Sequence, residues 1–202
     1  MKLRLLVVLF LIQFYQGIFS QNVNNMDQTF FWKIIEETRD TDINRQIQNI
    51  KLELIKLDKE QIIEFERILR REIIEADHFN LIAAQKIIDG AVSDDTFLYF
   101  RCWLILLGKD IFKKTIETPD YLASFIKKGV DTWGEGLLIV STEAFCLKTN
   151  KKIENEDERF PRSICFKEGL DYDFSAPPTK GDESVMDHLE TMFPILWKKM
   201  KN

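Results

Sequence analysis

The sequence predicts an all-α fold, a single compact multi-helix domain of about seven to eight helices around a buried central helix at residues 94–107. The first observation behind this is that apolar residues recur every three or four positions through most of the chain, which is the spacing of one helix face. The second is that good cap residues, such as Asp58 and Ser93, stand directly before these segments. The third is that this spacing is absent from residues 150–184, where we expect a long irregular surface loop.

The predicted central helix follows Ser93, whose hydroxyl can accept a hydrogen bond from an amide of the first turn. Asp94 and Asp95 fall in that turn, where carboxylates favour the positive end of the helix dipole. From there to Gly108 almost every residue is apolar or aromatic, so no face is left for water. The single basic residue of this helix, Arg101, must therefore be paired or must reach the surface.

The helices before it are expected to be amphipathic. One apolar stripe alternates by four and three positions over two heptads, which predicts packing within the chain. The stripe consists of Ile43, Ile47, Ile50, Leu54 and Leu57. The next helix, from Asp58, has a charged outer face that we expect to be solvated. That face carries Glu60, Glu64, Glu66, Arg67, Arg70, Arg71 and Glu72.

After the central helix, Thr118-Pro119-Asp120 has the residues of a helix start: a cap, a proline at the first position and an acid at the second. Residues 137–140 have the composition of a buried strand, but residues 141–148 continue better as helix, so we predict a helix there. A last helix is predicted at residues 185–200, with a kink at Pro194. The whole helical domain would span residues 26–200.

The N-terminus has the three regions of a secretory signal peptide. Lys2 and Arg4 form the basic region, residues 5–12 the apolar region, and the zone around Ser20 a cleavage site before Gln21. We expect residues 1–20 to be removed and the protein to be exported, to the periplasm or outside the cell. The alternative is a retained membrane anchor, for which the apolar run is short. No later segment is apolar enough to span a membrane.

Charge and composition exclude several function classes. Removing residues 1–20 takes away Lys2 and Arg4 and no acids, so 28 basic and 33 acidic residues become 26 and 33, a formal charge of −7. A nucleic-acid partner is therefore not expected, because phosphates need a basic footprint. Glu75 and His78 have the i, i+3 spacing of metal ligands, but the sequence lacks a second such pair, and we expect no metal and no cofactor.

Three cysteines are too few for a disulfide framework. Cys102 lies inside the predicted central helix and is expected to be a small buried hydrophobe. Cys146 and Cys165 are the one pair whose bridging an oxidising compartment would permit. The sequence leaves open whether they pair.

Asp94, Asp95 and Arg101 are the candidate binding residues. In one interpretation they form a polar cluster at the mouth of a pocket over the central helix. In the other, Asp94 and Asp95 only favour the helix start and Arg101 is buried against an acid from another helix. Asp94 and Arg101 are two turns apart on one face, roughly 10 Å along the axis, so they would flank a ligand group more easily than touch each other.

The chain resembles a bacterial family catalogued as domain of unknown function 4240. The resemblance is strongest in the string Ser93-Asp94-Asp95-Thr96-Phe97-Leu98-Tyr99-Phe100-Arg101-Cys102-Trp103-Leu104-Ile105. It extends to the first helix, with Phe31-Trp32, and to the last, with Phe193-Pro194, and so covers about residues 26–200. The chain departs from the pattern with Ala91 where glycine is usual and Asn80 where an acid is frequent. The resemblance implies no catalytic residue.

Two hypotheses of different classes remain. The first is a non-enzymatic protein-binding module that neutralises a toxin or serves the cell envelope, with another protein as its partner. The second is a carboxylate-based hydrolase that uses Asp94 or Asp95 with Arg101 beneath a lid formed by residues 150–184. A deep cleft exposing all three side chains would favour the enzyme, and burial in structural pairs would favour the binding module.

Overall fold

The computed structural model describes residues 26–172 and 178–201, and the predicted signal peptide lies outside them. The described residues form one compact helical domain, in which the single extended pairing is an isolated parallel bridge between His78 and Lys180. The α-helices are α1 Gln28–Glu37, α2 Ile43–Lys56, α3 Lys59–Glu75, α4 Phe79–Asp89, α5 Asp94–Leu106, α6 Lys109–Glu117, α7 Val140–Thr149, α8 Pro161–Lys167, α9 Leu189–Met192 and α10 Pro194–Lys201. Short 3-10 helices lie at Pro119–Ser124, Glu135–Leu138, Ile153–Asn155 and Glu183–Asp187. Nine of these α-helices have seven or more residues, against the seven or eight predicted.

Helix α5 begins where its cap residue predicts. The Ser93 hydroxyl accepts from the Thr96 amide, and the Thr96 hydroxyl accepts from the Ser93 amide at 2.8 Å, which closes a capping box. Nine of the thirteen residues of α5 are buried. They pack against α1, α3, α4, α6 and the 3-10 helix Glu135–Leu138. Helix α5 lacks a polar face because other helices surround it on several sides.

The apolar stripe of α2 packs inside the chain, as predicted. Ile47, Ile50 and Leu54 are buried, and α2 lies along α7. The cap of α3 is also confirmed, because Asp58 and Gln61 form a capping box with each other's backbone amides.

The prediction for the outer face of α3 is wrong at three of its seven positions. Glu66, Arg70 and Glu72 are only 1%, 2% and 3% exposed. Glu66 and Arg70 are covered because α7 and α8 pack against α3. Glu72 is covered on the side of α1 and α6, where Gln28 donates to it. Each buried charge has a partner there, as a low-dielectric environment requires. Arg70 pairs with Glu66, and Glu72 with Lys113 of α6.

Residues 150–184 are not the continuous surface loop that we predicted. Their described part contains α8 and the 3-10 helix Ile153–Asn155, and Cys165 of α8 is fully buried. Pro161 opens α8 at its first position, which suits a residue without an amide hydrogen. The predicted last helix is broken at Pro194, where α10 starts, and Thr118 opens a 3-10 helix rather than an α-helix.

Cys102, Cys146 and Cys165 are all free and buried, which answers the open question of a bridge between the last two. Burial raises the pKa of the Cys102 and Cys165 thiols to about 12. Both thiols are therefore protonated near neutral pH and are poor nucleophiles. Across the described ranges, no helix is both long enough and apolar enough to cross a membrane.

Candidate functional site

The structure places Asp94 and Asp95 on the surface. Both lie in the first turn of α5 and are exposed. Neither has an ion pair with any residue in the described ranges. Asp95 is four residues before Tyr99, so the two side chains share one face of the helix.

Arg101 lies inside the protein, in contrast to the two aspartates. It is 3% exposed, and its Nη1 lies 3.2 Å from Asp77 Oδ1 and donates to the Ile73 carbonyl at 3.3 Å. Its guanidinium carbon is 4.8 Å from the centroid of the Phe97 ring. Burial lowers the pKa of Arg101 below its usual value, and the charge of Asp77 partly offsets this. Asp77 also accepts from the Thr179 amide and hydroxyl, so residues 178–181 are tied to the end of α3.

The structure therefore does not bring the three candidate residues into one site. Asp94 and Asp95 face solvent at the start of α5, and Arg101 is paired with an acid that follows α3. Glu75 pairs with Lys180, and the His78 Nδ1 accepts from the Asn80 amide. Within residues 26–172 and 178–201, no three His, Cys, Asp or Glu side chains are grouped to hold a metal ion.

A second buried arginine was missed in the sequence. Arg70 Nε lies 2.6 Å from Glu66 Oε1, and its Nη1 donates to the Leu170 carbonyl at 2.9 Å. The other carboxylate oxygen of Glu66 accepts from the Ser141 hydroxyl. The Tyr172 ring lies 4.6 Å from the Arg70 guanidinium. This buried network joins α3, α7 and the segment after α8, which indicates a structural role.

A more distinctive arrangement lies on the surface beside Asp95. Trp133 is 50% exposed, yet its ring packs against Tyr99 with a centroid distance of 4.7 Å. Glu135 holds both rings in place. Its Oε1 accepts from the Tyr99 hydroxyl at 3.1 Å and its Oε2 accepts from the Trp133 indole Nε1–H at 3.1 Å. We call Asp95, Tyr99, Trp133 and Glu135 the aromatic–acidic surface.

The chain needs a glycine to build this surface. Gly134 lies so close to α5 that a Cβ on it would come within 2.8 Å of the Cys102 carbonyl carbon. Its amide donates to the Tyr99 carbonyl at 3.1 Å. The Trp133 amide in turn donates to Asp131 at 3.0 Å, which fixes the turn before the ring. Backbone contacts therefore position Trp133 over Tyr99.

The electrostatics of the surface are negative. Desolvation raises the pKa of the Tyr99 hydroxyl, and the hydrogen bond to Glu135 and the charges of Glu135 and Asp95 raise it further. Tyr99 therefore stays protonated and donates to Glu135. The sequence signal that was available for this site was the Trp-Gly-Glu turn, but only the structure shows that it lies against α5.

Comparison with known proteins gives one match. The model of a family described as a protein of unknown function, DUF4240, matches residues 26–146. The matched residues run from the start of the described domain into α7 and include the whole aromatic–acidic surface. No curated protein and no solved structure matches the chain. Since the match covers more than half of the sequence and includes the string from Ser93 to Ile105, the chain belongs to the DUF4240 family.

Proposed function

We propose that this protein is a non-enzymatic protein-binding module and that it contacts its partner through the aromatic–acidic surface. The observation that carries the proposal is that Trp133 is half exposed but held in one position by Tyr99 and Glu135. Tryptophan and tyrosine are the side chains that most often dominate binding energy at protein interfaces. A ring that is already fixed loses little conformational freedom when a partner covers it, so more of the contact energy appears as affinity.

The hydrolase alternative has less support. It needs Asp94 or Asp95 to act with Arg101 in one cleft, whereas Arg101 is 3% exposed and paired with Asp77. Its expected lid, residues 150–184, contributes Phe160 and Cys165 to the core instead. We therefore keep Asp95 in the proposal as a contact residue, and Asp94 as a residue at its edge, and assign Arg101 to stability.

The proposal includes export. The residues before Gln21 have the pattern of a signal peptide, and a partner in the cell envelope or an exported toxin would meet the protein there. The expected result is that protein purified from the envelope of its source starts at or near Gln21. Intact-mass measurement decides the point, and a mass that still contains residues 1–20 would exclude cleavage.

Partner capture with matched variants tests the binding site. We expect immobilised residues 21–202 to capture a protein from the envelope or secreted fraction of the source, and Trp133→Ala to lose it. Loss of a dominant aromatic contact costs at least about 2 kcal/mol, which is roughly a thirtyfold weaker affinity. Affinity of the purified captured protein for each variant is the measurement.

The control is Phe166→Ala, which removes a 62% exposed aromatic side chain from α8. Phe166→Ala should melt within about 0.5 kcal/mol of the parent, as surface substitutions do. Trp133→Ala also loses the ring contact with Tyr99, so it should lose about 0.5–1.5 kcal/mol of stability and remain folded. A partner that binds the parent, Phe166→Ala and Trp133→Ala equally well would show that the aromatic–acidic surface is not the binding site.

A further inference from the structure

The carboxylates of the aromatic–acidic surface lack a cation among the described residues. Glu135 accepts two hydrogen bonds, but both donors, the Tyr99 hydroxyl and the Trp133 indole, are neutral. Asp95 is exposed and forms no ion pair in the described part of the chain. Two negative charges therefore stand beside two rings without internal neutralisation.

Glu135 retains capacity for a further donor. A carboxylate oxygen has two acceptor positions, and each oxygen of Glu135 uses one of them for a ring partner. Glu135 is exposed, so the remaining positions are open to a group that approaches from solvent. The two bonds also hold the carboxylate in a fixed orientation next to the Trp133 ring.

Other aromatic rings of this protein are covered by its own cations. Among the described residues, six rings have a lysine or arginine between 4.6 and 5.7 Å from their centroid. They are Phe97, Phe112, Tyr121, Phe160, Tyr172 and Trp197. Tyr99 and Trp133 have no such cation in the described ranges, although they lie beside carboxylates that would favour one. Tryptophan has the ring that attracts cations most strongly.

We infer that the aromatic–acidic surface receives a cationic side chain, an arginine or a lysine, from an exposed segment of the partner. This inference rests on the proposed function and specifies its chemistry. The cation would lie over the Trp133 ring and bond to Glu135, with Asp95 adding charge attraction. Arginine fits better, because a planar guanidinium stacks on a ring and bonds to a carboxylate at the same time.

Titration with simple peptides tests the inference without the natural partner. The probes are nine-residue glycine–serine peptides with one central arginine, lysine, citrulline, glutamate or norleucine. The readout is the NMR signal of the Trp133 indole Nε1–H in labelled residues 21–202, assigned with Trp133→Phe. We expect saturable shifts for arginine and lysine, with Kd on the order of millimolar, and none for citrulline, which has the shape of arginine without its charge.

Two aspartates provide a matched pair of variants. Asp95 and Asp110 both occupy the second position of a helix, in α5 and α6 respectively, and both are exposed. Asp95→Asn should weaken binding of the arginine peptide about two- to fivefold, the size of an exposed ion pair, and Asp110→Asn should not change it. Added salt should weaken binding in the same direction.

The outcomes separate this inference from the proposed function. If citrulline or norleucine peptides shift the Trp133 signal as strongly as arginine, the inference of a cationic group is overturned. The binding-module proposal would then still stand, provided that the captured protein requires Trp133. If arginine and lysine peptides bind as expected but the captured protein binds Trp133→Ala as tightly as the parent, the surface binds cations and the proposed function fails.

Discussion

Replacing Arg101 by alanine is expected to lower the free energy of unfolding by about 3 kcal/mol, the lower end of the range for breaking a buried ion pair. The low end applies because the Asp77 side chain is 18% exposed and keeps two donors from Thr179. The loss also includes the contact of the guanidinium with Phe97 and the space left by the arginine stem. Urea unfolding of the parent and of Arg101→Ala measures the difference in unfolding free energy, provided that this free energy falls with urea concentration at the same slope in both proteins.

Arg101→Met is the matched control. Methionine refills the space of the arginine stem and removes the Arg101 Nε, a buried group without a hydrogen-bond partner among the described residues. Its cost should therefore be clearly smaller than that of alanine. Unchanged melting of Arg101→Ala would contradict the structural role and return this residue to the list of binding candidates.

Trp103→Ala is expected to cost about 3–5 kcal/mol, the usual range for emptying a buried aromatic site. Trp103 is 3% exposed, and its ring lies 5.3 Å from that of Phe100, centroid to centroid. Its backbone also faces Gly134, so relaxation around the cavity would disturb the turn that carries Trp133. Denaturant melts measure the cost. A loss below about 1 kcal/mol would mean that this site can collapse or that the ring is exposed.

Local signals predicted the starts of α3 and α5 and the inward face of α2. Asp58 and Ser93 cap helices because their side chains satisfy amides only three residues away. The apolar stripe of α2 can be predicted from the sequence because burial of one helix face requires apolar residues at the helical period. Both features depend on neighbours along the chain, which a sequence shows directly.

The buried charges of α3 depend on neighbours that are distant along the chain. Glu66 and Arg70 have the spacing of a solvated ion pair, and nothing near them indicates burial. They are covered by α7 and by the segment after α8, whose Leu170 carbonyl and Tyr172 ring contact Arg70. Since that segment was predicted as a surface loop, the cover for α3 was not predictable either.

Only Asp95 of the aromatic–acidic surface was predicted from the sequence as a candidate residue, for a similar reason. Asp95 was a candidate because of its charge, whereas Tyr99 was predicted only as one residue of the apolar central helix. The contact of Tyr99 with Trp133 depends on the close approach of Gly134 to α5, more than thirty positions along the chain from the start of that helix. A close approach of this kind produces no periodic pattern in the sequence, and a glycine by itself is compatible with many types of turn.

Hydrogen exchange of the complex with the captured partner tests the proposed binding surface most directly. Binding at the aromatic–acidic surface should slow amide exchange in residues 131–139 and in the first turn of α5, because a partner covers these segments. Residues 160–168, on the other side of α3, should exchange as in the free protein. Slowed exchange confined to residues 160–168, with residues 131–139 unchanged, would contradict the account.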